Sequence, residues 1–214
     1  MKSTLRLRMR GDRGTSMVEL TVALAILLLV PIVFGDFLIN MQNAVSRATS
    51  GTERNDNARL ASEEIDREIR SGNVFYDPAS EGDATNGIVA NQGLRVYTQA
   101  NAPTNTPAYR CVQWRVTTDK KLQSRWWPPK EGAVSYYSQA TSWRTVVEDV
   151  VNRTTSPTVP AFTLTTPVAG TTARTILVRF VTQASSDTKS LEVDASITGR
   201  NTQFNYSSSV CNYP

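Results

Sequence analysis

The run Arg13-Gly-Thr-Ser-Met-Val-Glu-Leu-Thr-Val-Ala-Leu-Ala-Ile-Leu-Leu-Leu-Val-Pro-Ile-Val-Phe-Gly35 decides how the rest of the chain is organised. Residues 15–35 are mostly apolar, and about 20 such residues span a bilayer as a helix. Within them Glu19 is the one ionisable side chain between Arg13 and Asp36. An acidic group at mid-membrane costs roughly 2.5–3.5 kcal/mol on insertion scales, so Glu19 calls for a partner. A cut between Gly14 and Thr15 would supply one, because the new α-amine is cationic near neutral pH. Pairing of Glu19 with that amine on a neighbouring chain would be favoured at low dielectric. The bland alternative is an acid at the membrane boundary that stays wet.

Upstream, residues 1–14 carry five bases and one acid, a net +4, which is the whole formal excess of the chain. The other 200 residues hold 18 bases and 18 acids. A sequence pI near 9.2 therefore describes the basic leader and not a nucleic-acid-binding face. Downstream, residues 36–72 are polar with helix-forming composition. Ala58, Ala61, Ile65 and Ile69 recur at three- and four-residue spacing, which predicts one buried stripe. Glu63–Arg67 and Asp66–Arg70 add i,i+4 pairs in the favourable order. A helix from Thr15 to Ser71 would be roughly 85 Å long, stopping at Gly72 and Asn73, with Pro31 and Gly51 as its weak points.

From residue 73 to 214 the pattern becomes that of a β-rich head. Eight short runs read as strands: GLRVYTQ, YRCVQWRV, LQSRWW, AVSYY, WRTVVEDVV, AFTLTT, TILVRFVTQ and LEVDASIT. Ile176, Val178 and Phe180 share one face, as do Leu191, Val193, Ala195 and Ile197. WRTVVEDVV also admits a short helix. Segments 99–108 and 152–172 are rich in Pro, Thr and Asn. The expected class is α+β: a long N-terminal helix packed on a mainly antiparallel sheet.

The chain has no histidine, which excludes Ser-His-Asp and Cys-His catalysis and histidine-ligated metal. Its two cysteines, Cys111 and Cys211, are too few for a CxxC-type zinc site. Both follow the apolar segment, and in an extracytoplasmic compartment they would pair; the alternative is two buried thiols. No catalytic residue, metal site or cofactor is identified, and no enzyme is expected. Glu81, Asp83, Asp187 and Asp194 would be calcium ligands on one reading and solvated loop acids on the plainer one. Trp126-Trp127-Pro128-Pro129, with Tyr136, Tyr137 and Trp143, suggests either an aromatic contact surface or strand ends turning over a core, the second being preferred. Asn152 and Asn205 begin glycosylation-type sequons, a pattern common by chance.

Arg13-Gly14-Thr15-Ser16-Met17-Val18-Glu19-Leu20, running into the apolar helix, resembles the cleavage and methylation motif of type IV prepilins and type II secretion pseudopilins. The resemblance implies that prepilin peptidase cuts after Gly14 and N-methylates Thr15, where the family usually has phenylalanine. Glu19 matches the family's assembly acid. NARLASEEIDREIRSGNVF and SLEVDASITGRN are similar to the helix end and final strand of large minor pilins and J-class minor pseudopilins. The resemblance implies a pilin-like fold and a minor subunit of a pilus-like filament or its tip. Its expected partners are other pilin subunits, prepilin peptidase, the inner-membrane assembly platform and, through residues 15–35, lipid. The head would be extracytoplasmic.

Two rivals remain. One is an anchored or secreted binding protein whose signal sequence is cut between Gly35 and Asp36. The other is a DNA-uptake minor pilin using Arg95, Arg110, Arg115, Arg125, Arg144, Arg174 and Arg179, which the neutral mature chain disfavours.

Overall fold

A computed structural model describes residues 16–99, 109–130, 136–165, 174–183, 190–199 and 209–212. The chain is α+β. One 54-residue helix, α1 (Met17–Arg70), precedes eight strands in two antiparallel sheets. The helix starts and stops within two residues of the predicted limits and runs through both Pro31 and Gly51.

Two compact units divide the chain, residues 1–49 and residues 50–214. In the first, the described residues are helical from Met17 onward. Among the described residues its large apolar side chains lie on every side of the helix and are exposed, Leu27 by 68% and Leu28 by 65%. Exposure continues past Gly35 through Phe37, Ile39, Met41 and Val45. A helix apolar all round belongs in lipid or among other apolar helices. It is long and apolar enough to cross a membrane.

In the second unit the remainder of α1 joins the head. The stripe Ala58, Ala61, Ile65 and Ile69 is fully buried, as its spacing predicts. It packs on a five-stranded sheet of order β1–β2–β3–β4–β5, comprising β1 (Gly72–Phe75), β2 (Gly93–Thr98), β3 (Arg110–Val116), β4 (Leu122–Trp127) and β5 (Arg144–Val147). Register sets the inner face: Leu94 stands opposite Trp114, Val96 opposite Val112, and Val116 opposite Leu122. These apolar cross-strand pairs meet the helical stripe in one core. β1 follows the helix at once, and Gly72 makes that corner. A Cβ there would stand 2.7 Å from Val96 Cγ1 and 3.0 Å from the Glu68 carbonyl oxygen.

A second sheet, β6–β7–β8, holds β6 (Phe162–Thr165), β7 (Thr175–Thr182) and β8 (Leu191–Thr198). Ile176, Val178 and Phe180 are fully buried, with Phe180 edge-on to Phe162 at 5.8 Å. On β8 the expected face holds at Ile197 (1% exposed), and Val193 and Ala195 pack partly against the core. Leu191 departs from it at 42% exposed, because β8 is the edge of its sheet and Leu191 its first residue. WRTVVEDVV resolves as strand, not helix: β5 pairs with β4, and Val150 bridges to Thr182. Of AVSYY, residues 133–135 lie outside the described residues, and Tyr137 opens a 3-10 turn to Gln139.

Candidate functional site

At the start of α1, Gly14 and Thr15 lie outside the described residues. Glu19 is exposed, and its Oε2 accepts a hydrogen bond from the Ser16 backbone N–H at 3.1 Å. Ser16 Oγ accepts in turn from Val18 N–H at 3.4 Å. Ser16 thus caps the helix through the N–H of Val18, and the Glu19 carboxylate reaches back to the N–H of Ser16. The negative charge also suits the positive end of the helix. Within one chain, then, Glu19 already has a backbone partner one residue short of Thr15.

Cys111 and Cys211 form a disulfide with Cα atoms 5.6 Å apart, both fully buried. It closes a 100-residue separation, for which chain entropy gives roughly 4–5 kcal/mol. The bridge ties the C-terminal segment to the outer face of the large sheet, beside Tyr97 and Trp127. Arg95 strengthens the tie by donating to the Cys211 carbonyl at 2.7 Å and to Glu81 Oε1 at 2.6 Å. Both ends of the Arg95–Glu81 pair are almost wholly buried, and Arg95 also stacks 3.7 Å above the Tyr76 ring. The Tyr76 hydroxyl oxygen accepts from Cys211 N–H at 3.0 Å. Burial raises the Tyr76 phenol above its ordinary pKa.

The most unusual chemistry lies on the other face. Glu68, in the last turn of α1, is 1% exposed. Trp114 Nε1 donates to its Oε2 at 2.6 Å, and an Arg110 guanidinium nitrogen stands 3.4 Å from its Oε1. Loss of hydration outweighs both, so the Glu68 carboxyl is pushed up from 4.5 to about 7. Arg110 is itself 9% exposed, and its buried Nε has no hydrogen-bond acceptor. Next to this pair a cavity of about 370 Å³ opens between α1 and the β3–β5 face, walled by Glu64, Ser124, Trp126, Thr141 and Arg144. Arg144 crosses its mouth to Glu64 at 2.8 Å. Sequence reasoning did not single out this cluster. One signal was present, since Glu68 follows Ile65 by three residues and so falls on the buried stripe.

No family model, curated protein or solved structure matches the chain. What it does must therefore be read from its own residues, and several of those singled out by sequence have structural employment. Arg95, Arg110, Arg144 and Arg179 each face a carboxylate, on Glu81, Glu68, Glu64 and the Glu192/Asp194 pair. Arg174 donates to the Phe75 carbonyl, and Arg115 and Arg125 flank the Trp143 ring at 3.9 and 4.2 Å. They do not form one phosphate-facing row. Asp83 caps a turn by accepting from Asn86 N–H at 3.2 Å, whereas Glu81 and Asp194 hold arginines. Asp187 lies outside the described residues.

The two adjacent tryptophans point to opposite faces of β4. Trp126 packs partly on the helix side, while Trp127 is 1% exposed in the disulfide cluster. Strand ends over a core is thus the reading the structure supports. Asn152 is fully buried: its amide donates to the Val159 and Arg179 carbonyls and its oxygen accepts from Val181 N–H. Glycan attachment there would require unfolding that joint between the sheets. Asn205 lies outside the described residues.

Proposed function

We propose that this chain is a pilin-like structural subunit, a minor pilin or pseudopilin that acts by assembly and not by catalysis. The observation that carries this reading is the double character of α1. From Met17 to Val45 it exposes apolar side chains on every side, and from Ala58 to Ile69 the same helix supplies one wall of a folded head. Such a helix needs lipid before assembly and other apolar helices after it. Prepilin peptidase would cut after Gly14, and Glu19 would then be available to the α-amine of Thr15 on a neighbour within a filament or tip complex. A buried disulfide and a deep β-rich core suit a head that works outside the cytoplasm.

The N-terminus of the mature protein tests this. Intact mass should place it at Thr15, and replacing Gly14 by a bulky residue should leave the precursor uncut. A mature chain beginning at Asp36 would instead identify an ordinary signal sequence and overturn the assembly role.

A further inference from the structure

The cavity at the helix–sheet junction has more donors than acceptors to offer. Arg144 is matched by Glu64, which it meets through a single guanidinium nitrogen at 2.8 and 3.0 Å. Arg110 is matched only in part, by Glu68 at one nitrogen and by the Trp126 ring 5.8 Å from its guanidinium carbon. Its contact with Glu68 is 3.4 Å, longer than the ~2.7–2.9 Å of a charge-assisted hydrogen bond. Its Nε is buried without an acceptor. Glu68 gives its other oxygen to Trp114. The hydroxyls of Ser124 and Thr141 add further donors to the wall, and Trp126 an apolar surface.

An arginine with its side chain only 11% exposed, paired with its own carboxylate at 3.4 Å, carrying a buried Nε without an acceptor and lining a cavity of about 370 Å³, has bonding capacity left for an anion. The planar guanidinium fits a carboxylate through two parallel bonds. We propose that this cavity is a carboxylate-binding site, with the Arg110 guanidinium as its anchor and Arg144, Ser124 and Thr141 completing the cradle. Arg110 already lines the cavity wall beside Glu68. Arg144, 61% exposed, closes over the mouth from β5.

Affinity is linked to pH through the groups around the bound anion. Glu64 and Glu68 face it from α1, Arg110 from β3, Arg125 from β4 and Arg144 from β5. Of these Glu68 changes charge near pH 7, and its ionised form repels an incoming carboxylate. Binding therefore tightens as pH falls through about 7. Such a site would serve whether or not the chain assembles into a filament. Its occupant is either a free small carboxylate or an acidic side chain of another protein, and the two are separable.

The experiment titrates the full-length chain in detergent micelles while recording the tryptophan indole resonances by NMR. The probes are N-acetylaspartate, a blocked pentapeptide with one central aspartate among alanines, and the same peptide with asparagine. Saturable shifts of the Trp114 and Trp126 signals are expected with the acids and not with asparagine. Affinity should fall about tenfold in Arg110→Gln and severalfold in Arg144→Gln, and rise between about pH 8 and pH 6. Response to the free acid alone identifies a small-molecule site, and equal or tighter binding of the aspartyl peptide a protein side chain. Arg144→Gln guards against misfolding of the more buried variant. No saturation by either acid up to about 50 mM, an equal response to asparagine, or unchanged affinity in Arg144→Gln would overturn the proposal.

Discussion

Glu68 occupies a position that the helical stripe would otherwise give to an apolar side chain. The head accommodates it by directing an indole N–H and a guanidinium at its two oxygens, yet burial still favours the neutral acid. In the unfolded chain the carboxyl ionises near 4.5, and in the fold near 7, so between these values the folded state holds more protons. Stability is then fully present below about 4.5 and declines as pH rises to about 7, by roughly 3 kcal/mol from this group. Glu68→Gln keeps an acceptor for Trp114 and cannot ionise. Thermal melts of the variant should lose this part of the pH slope and lie above wild type at pH 8. An identical slope in both proteins would mean that burial does not raise the Glu68 carboxyl.

At the scale of the element, α1 obeys two different requirements along one continuous backbone. Its first unit needs no face, because all sides are apolar; its head portion has a face fixed by Ala58, Ala61, Ile65 and Ile69. The contrast is measurable within two turns. Ile65 is fully buried in the core, whereas Leu60 is 60% exposed on the opposite side. Ile65→Ala should cost about 2–5 kcal/mol by lost transfer energy and cavity formation. Leu60→Ala should stay within about 0.5 kcal/mol. Chemical denaturation followed by tryptophan fluorescence reads the head directly, since Trp114 and Trp127 sit in its two clusters. Equal losses at the two positions would show that the stripe is not what holds the helix to the sheet.

For the molecule as a whole, the question is what Glu19 does. It belongs to the compact unit of residues 1–49, while the cores of the head belong to residues 50–214. Its capping role is worth about 1 kcal/mol to the helix terminus. Glu19→Leu removes that cap and also the desolvation cost of a carboxylate in lipid. Under the proposed assembly role, the variant should insert, be cleaved, and melt like wild type in its head, yet recruit other subunits severalfold less well. Comparing co-purified prepilins at equal membrane abundance checks this. Undiminished recovery would leave Glu19 as a helix cap and nothing more.

By itself the sequence determined whatever depends on local period and composition: the long apolar helix, the stripe from Ala58 to Ile69, most of the strands, and an α+β chain. Those features repeat every two or three to four residues, so neighbours along the chain reveal them. Only the tertiary structure decided the rest, beginning with the division of one expected sheet into sheets of five and three strands. Asn152 has the form of a sequon, and becomes a buried joint only because Val159, Arg179 and Val181 meet there. Cys111 and Cys211 had two readings until β3 and the C-terminal segment were brought side by side. Arg110 and Glu68 are 42 positions apart, and their local sequence is that of surface charges. The stripe places Glu68 on the buried side of α1, but only folding brings Arg110 beside it and removes the water of both together.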